Sequence, residues 1–131
     1  MTDAVIEAYG TTMEESFEYA AMGLCDTMVD LKVVVPRLEV NIKASGHDAH
    51  SLLFDWLDKV MLLLVADGIV MSEFKVKIAR NEGYSIEGVA RGEKLDLVRH
   101  HYKVEIKAVT YHEMEITEEK SGVTVRFLLD L

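Results

Sequence analysis

Two stretches of the chain carry apolar residues at helical spacing, which predicts two helices. The pair Thr11-Thr12 is followed three residues later by glutamates, the spacing of a capping box, and this predicts a helix over residues 12–29. Asp48 or Ser51 can cap a second helix, which we expect to end at Asp67-Gly68. The apolar positions are Met13, Phe17, Ala20, Ala21, Leu24 and Met28 in the first stretch and Leu52, Leu53, Trp56, Leu57, Val60, Met61 and Leu64 in the second.

Alternation of apolar and polar residues predicts strands in most of the remaining chain. After the single proline, Pro36, the alternation runs over residues 38–44. Further strands are expected over residues 5–9, 74–78, 84–91, 104–116 and 123–131. The stretch 104–116 is long enough to form either two strands or one bent strand. Gly92-Glu93 is expected to be a turn, and residues 95–101 have no clear pattern. Two early helices followed by several strands predict a single α+β domain over residues 1–131, with two helices packed on a largely antiparallel or mixed β-sheet.

Charge and cysteine content narrow the classes of function. The chain has 14 basic and 23 acidic residues, a net charge of −9. This charge opposes a protein that binds nucleic acid mainly by neutralising phosphates, although it is compatible with a local basic patch, and it favours divalent cations or a basic partner surface. The single cysteine, Cys25, excludes an internal disulfide, and we expect it to be buried.

The chain shows no targeting or membrane signal. The start, Met1-Thr2-Asp3, lacks the features of a secretory signal, and the longest apolar run, residues 60–66, is too short to span a bilayer. We therefore expect a cytoplasmic protein with no membrane partner.

Five histidines raise the hypothesis of a metal site. His47 and His50 flank Asp48 at the start of the second predicted helix, three residues apart. A solvated helix start capped by Asp48 is the better-supported interpretation, because this spacing alone is a weak metal signature. We expect the adjacent His100-His101 in a loop and His112 in a strand.

Two carboxylates stand out by their positions in the chain. Asp3 lies near the start of the chain, and Asp130 ends an apolar run as the penultimate residue. Each can be a solvated residue or a ligand for a hard cation, and residue physics alone favours the solvated interpretation. Lys107 is expected to be a solvated strand lysine. Three further cations are expected on the solvated face of an amphipathic strand: Lys75, Lys77 and Arg80.

The sequence closely resembles the archease family over almost its whole length. The matching segments are Thr2-Asp3 with Ile6 and Ala8-Tyr9-Gly10, residues 12–17 with Ala20-Ala21, residues 51–58, Gly92-Glu93, residues 104–112 and Leu129-Asp130-Leu131. The segment 104–112, Val-Glu-Ile-Lys-Ala-Val-Thr-Tyr-His, is the most distinctive. Family members usually begin with a further short strand that ends in a histidine. This chain begins with Met1-Thr2-Asp3, so we expect that strand and histidine to be absent, which would expose a sheet edge.

The resemblance implies an archease-like α+β fold and a protein cofactor rather than an enzyme. Archeases assist the GTP-dependent RNA-splicing ligase of tRNA splicing by promoting its guanylylation and its repeated turnover. The functional residues of the family carry over to Asp3, Lys107 and Asp130, and the two aspartates are associated with a divalent cation, calcium in the family. The ligase is the expected partner, and RNA is expected to be met only through it. First and last strands that lie side by side would bring Asp3 and Asp130 together.

Two other functions remain open. The first is a chaperone-like modulator of RNA-modifying enzymes, which would suppress aggregation of unrelated proteins. The second is a metal-dependent hydrolase that uses Asp3, Asp130 and a histidine and turns over without a partner. We rank the hydrolase last, because the sequence offers no recognisable arrangement of a catalytic base.

Overall fold

A computed structural model of the protein describes residues 3–131, which form two helices and six strands. The helices are α1 (Met13–Met28) and α2 (Ala49–Val65), and the strands are β1 (Asp3–Gly10), β2 (Leu38–Gly46), β3 (Ile69–Arg80), β4 (Tyr84–Lys94), β5 (Ala108–Glu119) and β6 (Gly122–Asp130). A short 3₁₀ turn, Leu31–Val33, lies between α1 and β2. Both predicted helices and the α+β class are confirmed. In this part of the chain, neither helix has the length and apolarity needed to cross a membrane.

The strands divide between two separate sheets of three strands each. One sheet has the order β1-β6-β5 and the other the order β2-β4-β3. All four strand pairings within residues 3–131 are antiparallel. Two of them, β3–β4 and β5–β6, are hairpins closed by short turns, so sequence neighbours supply half of the pairings.

The helices bridge the two sheets and carry the centre of the core. Helix α1 packs on β1 and β6 of one sheet and on β3 of the other, while α2 packs on β5 and on all three strands of the second sheet. Trp56 of α2 is fully buried, and its indole N–H donates to the carbonyl of Phe17 in α1 at 3.0 Å. Its ring meets Phe74 of β3 edge-on, with 5.9 Å between ring centroids. This indole therefore ties both helices to the second sheet.

Both helices start on the side chains that the sequence indicated. The hydroxyl of Thr12 accepts the backbone N–H of Glu15 at 3.1 Å. The carboxylate of Asp48 accepts the backbone N–H of Ser51 at 2.7 Å, and the Ser51 hydroxyl accepts the N–H of Asp48 at 3.1 Å. The two alternative caps of α2 are thus the two halves of one capping box, and this bonding lowers the pKa of Asp48.

Carboxylates from the helices cover the outer edges of the second sheet. Asp55 of α2 accepts the backbone N–H of Ser45 in edge strand β2 at 2.9 Å. Glu18 of α1 accepts the N–H of Val76 in edge strand β3, also at 2.9 Å. An unpaired edge N–H is a template for another strand, so these bonds block pairing at those positions.

The turn predicted at Gly92-Glu93 is wrong, because both residues lie inside β4. Strand β3 has an irregular register between Met71 and Glu73, opposite this point. A Cβ on Gly92 would overlap the carbonyl oxygen of Val70. The glycine is therefore required by close approach of two backbones, not by a turn.

Strand β5 starts later than expected and is bent. It begins at Ala108, and its register with β6 jumps between Thr110 and Glu115. The extra residues arch out of the ladder, and Tyr111 among them stacks on Phe54 of α2 with 4.4 Å between centroids. Of the two alternatives for this segment, one bent strand is confirmed.

Candidate functional site

The register of the first and last strands brings two aspartates together. Strand β1 pairs with β6 so that Asp3 is directly opposite Asp130. Directly opposite residues point to the same face of a sheet, with their Cβ atoms about 4.5–5.5 Å apart. Residues 127 positions apart in the chain (130 − 3) thus become neighbours. The predicted juxtaposition is present, and the role of the two carboxylates stays a prediction.

Lys107 reaches the same end of the sheet through its main chain. Its backbone N–H donates to the carbonyl of Asp130 at 2.8 Å, and the next residue, Ala108, is opposite Asp130. The lysine side chain is exposed. Within residues 3–131 its ammonium group forms no ion pair with Asp3, Asp130 or another carboxylate.

The two aspartates keep their charge uncompensated by the residues that the structure describes. Asp3 is exposed and Asp130 half-buried. Neither side chain accepts a hydrogen bond or forms an ion pair in that part of the chain. Like charges directly opposite each other destabilise a strand pair, so the pair favours a cation or a basic partner group between or beside its carboxylates.

The same sheet face is acidic further along the strands. Glu7 lies opposite Arg126, and Arg126 lies opposite Glu115. The Arg126 guanidinium is 3.9 Å from Glu115 and 4.0 Å from Glu113. One arginine thus faces three glutamates, which extends the negative charge beyond the aspartate pair.

The described residues alone do not form a closed metal site. No group of three or more histidine, cysteine, aspartate or glutamate side chains within residues 3–131 is placed to hold an ion. Calcium takes six to eight oxygen ligands, and two carboxylates supply at most four. A cation held by Asp3 and Asp130 would therefore need further ligands from water or from another molecule.

The histidine metal hypothesis finds no support in the described residues. His47 is exposed beside the cap of α2, with its ring 3.4 Å from the Asp48 carboxylate. His101 and His112 are exposed as well. The solvated helix start is confirmed.

Cys25 is fully buried, as predicted. Burial raises the pKa of its thiol to about 12. The thiolate is therefore scarce at neutral pH, which argues against a nucleophilic role.

A second charged cluster, centred on Glu93, was not found from the sequence. The Glu93 side chain is buried and meets Arg99 at 2.7 Å, His100 at 2.8 Å and Arg37 at 3.3 Å. It also accepts the backbone N–H of Val35 at 2.9 Å. The hydrogen bond from Arg99, followed by those from Val35 and His100, lowers the pKa of Glu93 to about 2 against the opposing effect of burial.

The ring nitrogens of the buried His100 have three close partners, of which Arg99 lies 3.0 Å from Nε2. The backbone N–H of Asp96 donates to its Nδ1 at 2.9 Å, so Nδ1 carries no proton and the Nε2–H donates to Glu93. This tautomer is assigned from the partners of the ring. His100 lies in a turn, as expected, but its complete burial was not anticipated. Arg37 and Val35, the other partners of Glu93, come from a separate chain segment, and the local pattern of the sequence does not identify them.

Comparison with known proteins places the chain in a family. The Archease protein family (MTH1598/TM1083) matches residues 1–131. Protein archease of Pyrococcus furiosus is 40% identical over 121 residues, which cover 92% of this chain and 85% of that protein. Protein archease of Methanopyrus kandleri is 39% identical over 130 residues, 98% of this chain and 93% of that protein.

A solved structure shows the same fold. The solution structure of Methanobacterium thermoautotrophicum protein 1598 matches with a TM-score of 0.84 and 38% identity, over 100% of this chain and 94% of that one. Met1 and Thr2, where the expected departure from the family begins, lie outside the described residues, and Asp3–Gly10 forms β1. On these matches, the chain belongs to the archease family.

Proposed function

We propose that this protein is a cofactor of a GTP-dependent tRNA-splicing RNA ligase, which promotes ligase guanylylation and repeated turnover. It acts in the cytoplasm and has no catalytic turnover of its own. Membership of the archease family supports this function. The observation that carries the proposal is the register that sets Asp3 opposite Asp130, with the Lys107 N–H bonded to Asp130.

In this proposal the two aspartates hold a divalent cation, with calcium as the first candidate. Their four oxygens leave much of the coordination shell to water and to the ligase or its nucleotide. Such a cation would neutralise phosphate charge during nucleotidyl transfer. The absence of a third metal-binding side chain among residues 3–131 supports a shared site over a private one.

Charge supports docking on a basic ligase surface. The net charge is −9, and the outer face of the β1-β6-β5 sheet carries the aspartate pair and three glutamates around one arginine. Complementary charge speeds encounter and fixes orientation. The exposed Lys107 ammonium, which has no ion pair within residues 3–131, would contact a phosphate or carboxylate of the ligase complex.

The test is ligase activation with matched variants. The ligase from the same source is mixed with GTP, Mn²⁺ and the protein at sub-stoichiometric and equal ratios, and guanylylation and joined RNA are followed. We expect faster guanylylation and many turnovers with the unmodified protein. Asp130→Ala and Lys107→Ala should lower activation about 100-fold or more, a loss of about 2.7 kcal/mol or more in transition-state stabilisation. Asp67→Ala and Lys120→Ala, which remove exposed charges elsewhere, should activate normally.

Each alternative outcome has a distinct meaning. Normal activation by Asp130→Ala would remove the acidic site from the mechanism. No activation by the folded, unmodified protein would contradict the cofactor role. Suppression of aggregation of several unrelated proteins, without ligase activation, would instead support the chaperone-like function.

A further inference from the structure

We propose that the outer face of the β2-β4-β3 sheet binds the phosphodiester backbone of single-stranded nucleic acid. This inference does not rest on the ligase role. It differs from the expectation that RNA is met only through the ligase.

The cations of this face form a cluster on an acidic protein. In the strand register, Lys43 and Lys77 lie on either side of Glu87, and Lys75 lies opposite Val89 in the next row. We call Lys43, Lys75 and Lys77 the lysine cluster. Arg91 adds a fourth cation, and three carboxylates share the face: Glu39, Glu73 and Glu87. The face therefore carries a net charge of +1 (4 − 3). The rest of the protein carries −10, so that the total net charge is −9.

The ammonium groups of the lysine cluster are available to a ligand. All three lysines are exposed, and none forms an ion pair or side-chain hydrogen bond within residues 3–131, although Glu87 lies between two of them. Lys59 at the neighbouring edge differs, because it is 3.0 Å from Asp55. The unpaired lysines can contact phosphate oxygens without first breaking a bond in the protein.

The shape of the face suits an extended ligand. Two adjoining depressions, of about 620 and 560 Å³, share Lys43, Lys77 and Glu87 in their linings. Lys75 and Lys77 are two residues apart on one strand, about 6.8 Å, and Lys43 and Lys77 are two strand spacings apart, about 9.5 Å. These are separations of backbone positions, and the flexible lysine side chains allow each ammonium group to contact a different phosphate of an extended chain.

A nucleic-acid backbone fits this face better than an acidic peptide does. A peptide that adds to a sheet edge needs free edge N–H groups that donate to its own carbonyls. At Ser45 and Val76 the edge N–H groups are already bonded to Asp55 and Glu18. The phosphate groups of a nucleic acid present only acceptors, which match the ammonium donors of the lysine cluster.

The mode of binding follows from the residues on the face. No aromatic side chain occupies an outward position on β2, β3 or β4 in the rows that hold the lysine cluster. Base stacking, a main source of sequence-tolerant affinity, is therefore absent. Binding should be weak, independent of sequence and strongly dependent on salt.

Fluorescence anisotropy with labelled RNA and DNA oligonucleotides of about ten nucleotides tests the proposal. The unmodified protein is compared with K43Q/K75Q/K77Q and with K32Q/K94Q/K120Q, which removes three exposed lysines elsewhere and gives the same net charge. At about 50 mM salt, we expect the lysine-cluster variant to bind about tenfold or more weakly and the control variant to bind normally. The slope of log affinity against log salt should fall by about 2, the value for three phosphate contacts.

Further variants separate the effect of lost charge from an effect on folding, and further ligands identify what is bound. K43R/K75R/K77R should retain binding, and thermal melting should show that all variants fold. Equal affinity for RNA and DNA would assign recognition to the phosphate backbone, and tighter binding of RNA would add the 2′-hydroxyl. The proposal is wrong if the unmodified protein binds neither oligonucleotide at low salt, if both glutamine variants are equally weakened, or if a labelled polyglutamate peptide binds more tightly.

Discussion

The cluster at Glu93 and the aspartate pair at the ends of β1 and β6 use the same chemical group in opposite ways. Glu93 is buried, and two arginines, one histidine and one backbone N–H meet its carboxylate. Asp3 and Asp130 face each other at the end of a sheet, and no cation within residues 3–131 pairs with them. The charge of Glu93 is therefore compensated by its partners, whereas the charges of Asp3 and Asp130 are not compensated by the described residues.

The difference separates stability from binding. The bonds of Glu93 fasten β4 to the segment around Val35 and to the turn that carries His100, and they leave no free oxygen for a ligand. The aspartate pair gives up stability through repulsion and keeps its oxygens free. Removal of a carboxylate should therefore have opposite effects on folding at the two places.

The largest expected effect on folding comes from Glu93→Ala. The substitution leaves the Nε2–H of the buried His100 without an acceptor, while the partly exposed arginines lose little. We expect the free energy of unfolding to fall by about 2–3 kcal/mol. Urea denaturation measures this change, with the exposed Glu119→Ala as a control that should stay within about 0.5 kcal/mol. A loss no larger than that of the control would show that the cluster does not stabilise the fold.

Acid titration tests whether the stabilisation by Glu93 depends on its ionised carboxylate. Because folding lowers the pKa of Glu93 from 4.5 to about 2, its ionised form stabilises the folded state fully above pH 4.5, and this contribution is lost as the pH falls toward 2. The gap in unfolding free energy between the unmodified protein and Glu93→Gln should therefore narrow over this window. Other titrating carboxylates are common to both proteins and cancel. A gap that stays constant with pH would contradict the ionised state assigned to Glu93.

The smallest effect, with the opposite sign, is expected at Asp3. In the presence of a chelator, Asp3→Asn should raise the free energy of unfolding by about 0.2–1 kcal/mol, because one of two facing charges is removed. The gain should shrink in high salt. Asp67→Asn, at an exposed position after α2, is the matched control.

Calcium should reverse the relative stability of these two proteins, so that the unmodified protein becomes more stable than Asp3→Asn. A cation held by both aspartates stabilises the unmodified protein by about 1.4 kcal/mol at ten times its dissociation constant, and Asp3→Asn should lose most of this shift. Thermal unfolding with and without calcium measures both quantities. An equal calcium shift in the two proteins would exclude Asp3 as a ligand.

Local sequence signals were sufficient to predict most of the helices and strands. The apolar periodicity of α1 and α2 can be recognised within short stretches of sequence, as can the capping box of Asp48 and Ser51. The structure contains both helices and this cap. The strand alternation of β2 is followed as well. Such signals depend only on neighbours three or four residues away.

Tertiary contacts account for what the sequence did not reveal. Gly92 reads as a turn residue, and its reason, the close carbonyl of Val70, comes from another strand. Glu93 and Arg37 are 56 positions apart (93 − 37), and no periodicity relates them. Asp3 and Asp130 stand out by position, but family resemblance and not residue physics gives them and Lys107 a functional role. The register then places all three at one end of a sheet.

The pairing of β1 with β6 also has a kinetic consequence. Closing a loop of more than a hundred residues is entropically costly, and contacts of such separation slow folding, so this pairing is expected late. The hairpins β3–β4 and β5–β6 close over short turns and can precede it. A partly folded chain would then hold both hairpins and helices yet lack the facing aspartates. Competence to engage a partner through them would therefore report that the chain has completed its tertiary structure.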